Sequence, residues 1–308
     1  MTAPSNPEPL PATFPVPQSN RRLTWLAWAV VILISTLPEI IMLELFHGSI
    51  DTLAFAKMGF LMGLAITAII WKPLRPLRDF LLAMLAFFVL SELCTQLDWT
   101  LPWLQNLFGG HAFDARMQAE QTGKLVISAL MILMLAGLGY RRRQMFLTRG
   151  DLKAPITPVK WLGFPKPDAW PVFGLQWGFY IALAIAAMLY FTQRPSVAQL
   201  AGVLPVLPSI LFYAALNAFN EEATYRIPML TTLEPLAGSR PSLWMAAYFF
   251  GIGHYFGVPG GLAGAIASIF MGWILSKAML ETRGLFWAWW IHFLTDIVIF
   301  VFLTAALG

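Results

Sequence analysis

The feature that most limits what this chain can fold into is a succession of apolar runs, several of them roughly 18 residues or longer, divided by short polar stretches. A hydrocarbon layer about 30 Å thick is crossed by about 20 apolar residues in a helix, and lipid tolerates only spanning backbone whose hydrogen bonds are closed internally. The expected fold is therefore all-α, a polytopic integral membrane protein. Composition agrees: 58% of residues are hydrophobic and 12% charged, about half the charged share of a soluble domain, and the mean hydropathy is +0.67. The net charge of +4 does not point to nucleic acid, because Lys and Arg sit between the apolar runs, where they set orientation. Cys94 is the single cysteine, which excludes an internal disulfide and a cysteine-rich metal site. It reads as a buried thiol.

About nine membrane segments are expected, near residues 23–42, 54–71, 80–98, 125–140, 172–191, 203–221, 242–256, 262–276 and 285–306. Residues 1–22 are rich in proline and polar side chains and read as a disordered tail. A four-span region (23–140) is followed by a basic linker (141–170) and a five-span core (171–308). The linker carries Arg141, Arg142, Arg143, Arg149, Lys153, Lys160 and Lys166, a cytoplasmic composition. With the amino terminus inside, only Lys57, Arg116, Lys124 and Arg194 of the 20 Lys and Arg lie outside. If segments seven and eight form one re-entrant hairpin, this count is unchanged.

Ionisable groups inside spans are costly and are candidates for function or for packed ion pairs. The sixth run ends in NAFNEEATYR. Glu222 and Arg226, four apart with the acid first, should pair on a helix. Glu221 points about 100° away and is expected to remain an unmatched carboxylate near the inner face, the kind of group that serves as a general base. An acidic pair at a helix end also reads as a solvated cap. Phe250 and His254 share one face of the seventh segment, and His292 and Asp296 one face of the ninth, well inside it. Each has a structural alternative: a packed histidine for the first, a hydrogen bond between helices for the second.

Together, EExxxR, FxxxH and HxxxD, in this order and on three different segments, resemble the CPBP family of CAAX proteases and bacteriocin-processing enzymes, also called the abortive-infection family. Its members include glutamic-type intramembrane proteases related to the Ras-converting CAAX endopeptidase. The resemblance covers about residues 171–308. It implies that Glu221 and His254 activate a water that attacks the scissile carbonyl, and that His292 and Asp296 occupy the oxyanion positions. Glu222, Arg226 and Phe250 would support them, without a cofactor. Asp296 departs from the Ras-converting branch, which has asparagine there; an ionised aspartate repels an oxyanion, so it is either protonated or orients His292. The implied substrate is a membrane-anchored or lipidated protein or peptide, cut near the cytoplasmic face in a cavity open to the cytoplasm. The implied location is a cell membrane, spanned many times with the amino terminus cytoplasmic, in a bacterium the inner membrane. Two alternatives remain open: a zinc-dependent protease using Glu221, His254, His292 and Asp296, although no HExxH is present, and a transporter or scaffold.

Overall fold

The computed structural model describes residues 20–258 and 260–307, so the expected tail lies outside the described residues up to residue 19. The helices are α1 (Arg21–Ile34), α2 (Leu37–Glu44), α3 (Leu53–Ile70), α4 (Arg78–Thr95), α5 (Pro102–Gln105), α6 (Ala112–Gly137) and α7 (Trp170–Gln193), then α8 (Val197–Ala201), α9 (Leu207–Glu221), α10 (Ile227–Ala237), α11 (Ser239–Gly253), α12 (Gly261–Thr282) and α13 (Phe286–Ala305). The only β pairing among the described residues is two isolated bridges, Pro155 with Ala169 and Val159 with Phe164. The all-α polytopic class holds.

Six stretches among the described residues are long and apolar enough to cross a membrane, or seven if the bent pair α1 and α2 is one span. Two further helices, expected among the roughly nine segments, fall short of that measure. The 18 residues of α4 include Arg78, Asp79 and Glu92, and α11 is only 15 residues long. The α1–α2 bend of 46° is held by Lys57, which donates to the Ser35 carbonyl at 2.5 Å and to Glu39 at 2.5 Å. A cation at a helix carboxyl terminus is favourable, and here the same amine is neutralised by Glu39.

The sixth run does not stop at Glu221. A π turn over Glu222–Arg226 passes the chain into α10, so a 41-residue path runs from Val197 to Ala237. In the turn the Ile227 amide donates five residues back, to the Glu222 carbonyl. Such single π turns occur mostly as bulges within α-helices and frequently at functional sites.

Contacts between helix termini define two ends. At one end the basic linker packs as an ordered cap: Thr148 Oγ1 donates to the Arg283 carbonyl at 2.9 Å, the Asp151 amide to the Thr282 carbonyl at 2.8 Å, and Trp170 Nε1 to Glu281 at 3.0 Å. Tyr140 donates to Asp79 at 3.1 Å, tying the end of α6 to the start of α4; burial and that carboxylate push its phenol above the ordinary range. At the far end, Tyr255 donates to Glu44 at 2.7 Å and the Phe113 and Phe300 rings meet at 5.6 Å. One continuous core joins α1, α3, α4 and α6 with α7 and α10 to α13.

Small residues allow the closest helix approaches. A Cβ added at Gly251 would lie 2.3 Å from the Ile269 backbone nitrogen, and one at Gly174 would lie 2.5 Å from the Trp287 ring. Gly251→Ala must therefore separate α11 from α12, an overpacking cost of about 1–3 kcal/mol. A lowered melting midpoint in detergent is expected, while Gly63→Ala, where a Cβ has open space, leaves the midpoint unchanged or raised.

Candidate active site

The π turn sets the charged centre. Glu222 and Arg226 are fully buried and ion-paired, as the four-residue spacing requires. Arg226 Nε also donates to Ser276 on α12 at 3.2 Å, and its guanidinium lies over the Phe250 ring of α11, 4.7 Å from the centroid. His292 Nδ1 is 2.8 Å from Glu222 Oε1. Because a carboxylate only accepts, that contact makes Nδ1 the protonated nitrogen and turns Nε2 the other way. Nε2 then lies 3.5 Å from Glu221 Oε2 and 3.8 Å from Asp296 Oδ1.

His254 closes α11. Its Nδ1 is 3.1 Å from the Phe250 carbonyl, which fixes a proton there and leaves Nε2 as the basic nitrogen. The Phe250 ring separates the two imidazoles, with centroids 4.5 Å from His254 and 5.8 Å from His292. Glu221, His254, His292 and Asp296 all line one cavity of about 710 Å³. The structure thus brings together the four residues singled out as catalytic, with Glu222, Arg226 and Phe250 directly behind them.

Two expectations need correction. Glu221 is not unmatched: Lys124 Nζ lies 3.2 Å from its Oε1, and Asn217 donates to the same oxygen at 3.2 Å. Nor does the cavity open on the side of the basic linker. Its exposed polar and loop lining residues, Arg116, Glu120, Gln193, Gly257 and Val258, lie at or just beyond the far ends of their helices, because Glu221 lies midway along its 41-residue path.

Sequence reasoning missed Asn217, Lys124 and Gln121. Asn217 Nδ2 also donates to Asp296 Oδ2 at 3.0 Å, while its Oδ1 accepts from Gln121 at 2.8 Å and from Lys124 at 2.9 Å. These four contacts fix the orientation of the amide. The signal for Asn217 was its position one turn before Glu221, on the same helix face. Lys124 had no comparable signal, since the sequence put it in an outer loop, whereas α6 begins at Ala112 and carries it into the cavity wall. Among the described residues no group of three or more His, Cys, Asp or Glu side chains is spaced to hold a metal ion.

The cavity gathers carboxylates, two oriented imidazoles and a fixed amide, groups of the kind a hydrolase uses. Residues 203–298 match the family model described as type II CAAX prenyl endopeptidase, Rce1-like, which agrees with the CPBP resemblance and indicates a protease. The matched stretch contains every motif residue from Glu221 to Asp296. No curated protein and no solved structure matches the chain.

Removing one member of a buried ion pair strands the other, at about 3–5 kcal/mol. Arg226→Met is expected to lower the thermal midpoint of the purified protein by that equivalent. Lys124→Met, at the half-exposed cavity wall, should cost clearly less in the same measurement.

Proposed function

We propose that this chain is an intramembrane endopeptidase that hydrolyses a peptide bond of a membrane-anchored or lipidated protein or peptide with a water activated by Glu221 and His254. The observation that carries the reading is the single cavity into which a carboxylate, two imidazoles and a fixed amide converge from α9, α11 and α13. Peptide hydrolysis by water needs a base, an electrophilic stabiliser and orientation.

In this reading Glu221 takes a proton from the water as the water oxygen bonds to the scissile carbonyl carbon. The proton then passes to the leaving amine as the C–N bond breaks. His254 Nε2 accepts a hydrogen bond from the same water, an orientation supported by its Nδ1 contact to the Phe250 carbonyl. His292, aimed by Glu222 and ringed by the Glu221, Glu222 and Asp296 carboxylates, acts as an imidazolium whose Nε2–H donates to the developing oxyanion. Asn217, whose amide N–H groups donate to Glu221 Oε1 and Asp296 Oδ2, ties the base to Asp296. Asp296 then acts as a positioning residue, accepting from Asn217 and holding that amide toward the cavity. Lys124 holds Glu221 in place as a base. No step in this scheme needs a metal, and Lys124 pairs with Glu221, one of the two carboxylates that a zinc site here would use.

Loss of a general base typically costs about 10²–10⁴-fold. Glu221→Gln should lower cleavage by that factor with the melting midpoint retained, read as the disappearance of new peptide termini from membranes carrying the native protein. Unchanged termini would sink the protease reading. Purified protein is expected to contain less than stoichiometric zinc and to keep its activity under chelation; activity lost to chelator and restored by zinc would replace this scheme with a metalloprotease.

A further inference from the structure

The cavity is built asymmetrically between the two ends of the helix bundle. Toward the basic linker it is closed by a packed layer: Trp170, Phe173, Ile274, Leu275 and Trp287 are all 5% exposed or less. Gly174 draws α7 against α13 there, with no room for a Cβ beside the Trp287 ring. The cavity floor is equally dry, with His292 at 2% and Asp296 at 4% exposure. Toward the far end the lining changes character. Arg116, Glu120 and Lys124, four residues apart on one face of α6, form a charged ladder from the mouth down to Glu221. Gln193 at the end of α7 and Gly257 beyond α11 complete an exposed polar rim. Tyr180 and Ala184 of α7 line the cavity and are exposed on its flank, where lipid would lie.

The charge pattern assigns the two ends to the two sides of a membrane. Linker, amino-terminal and α3–α4 arginines and lysines crowd the closed end, while Arg194 is the one Lys or Arg in the far-end loops; Lys57, Arg116 and Lys124 lie on helices. By the positive-inside rule the closed end is cytoplasmic. We propose that the cavity admits its substrate from the extracytoplasmic side, so that the peptide bond met by Glu221 belongs to the outward-facing juxtamembrane segment of a membrane-anchored polypeptide. The cleavage half of this statement rests on the protease reading above, and the access half does not. An anchored segment reaches the floor past the α7 flank without leaving the bilayer, and its polar backbone meets the ladder of α6 instead of lipid.

The test uses the full-length chain carrying Cys94→Ser, a position on α4 away from the cavity. Gln193→Cys and Arg116→Cys mark the rim, Lys153→Cys marks the linker, and the nearly isosteric Ser268→Cys marks the buried floor. Each is exposed to a membrane-impermeant maleimide, and Ser268→Cys to a small charged methanethiosulfonate, in right-side-out and inside-out vesicles. Labelling of the rim and floor cysteines only in right-side-out vesicles, and of Lys153→Cys only in inside-out ones, is expected. Floor labelling from the inside-out face, from both faces or from neither overturns the proposal. Repeating the labelling with Glu221→Gln separates the two questions: an unchanged pattern with unchanged membrane peptide termini removes the protease reading and leaves the access route standing.

Discussion

The charge cluster at the π turn governs the rest of the architecture. Glu222 and Arg226 have no exposure to solvent, and losing either member of a buried pair is strongly destabilising. Around this pair gather Ser276 from α12, the Phe250 ring from α11 and His292 from α13. Four segments are therefore fixed relative to one another by one salt bridge. The same pair aims His292, because a proton held toward Glu222 leaves the opposite nitrogen facing Glu221. A stability requirement and a chemical orientation are met by one hydrogen bond.

Around that cluster the protein separates a dry, closed half from a polar, open half. Tryptophan and phenylalanine from α7 and α13 fill the linker end where Gly174 permits close approach. The linker itself, held by backbone bonds to the α12–α13 turn, covers those helix ends and satisfies carbonyls that a membrane interface would otherwise have to hydrate. In the open half, α9 and α10 are joined by the π turn in one long path that places Glu221 midway along it, at the wall of the cavity. Into that space α6 projects Lys124. An intramembrane lysine is tolerable there because Glu221, Glu120 and Asn217 surround it.

Much of the site was legible because helical spacing carries its own geometry. Positions four apart share a face, so Glu222 with Arg226, Phe250 with His254 and His292 with Asp296 could be paired without coordinates. The misreadings share a cause too. Hydropathy marks where apolar runs fade, not where helices end, so by hydropathy alone a segment stops soon after Phe219 and another starts at Leu125. Both points are interior to helices, and the polarity there reflects the cavity those residues line. Nothing in the spacing of Asn217 showed that its amide would bridge Glu221 and Asp296, since that contact joins α9 to α13 across 79 positions of sequence.

The sequence by itself determined a helical membrane protein and the pairs within each motif, because both follow from the length of the apolar runs and a period of 3.6 residues. Only the tertiary structure decided that Glu221 is held by Lys124, that Asn217 supplies an amide beside Asp296, and that the cavity opens away from the linker. Those outcomes depend on which helices pack together and how deeply each residue sits, and neither is encoded in a local pattern.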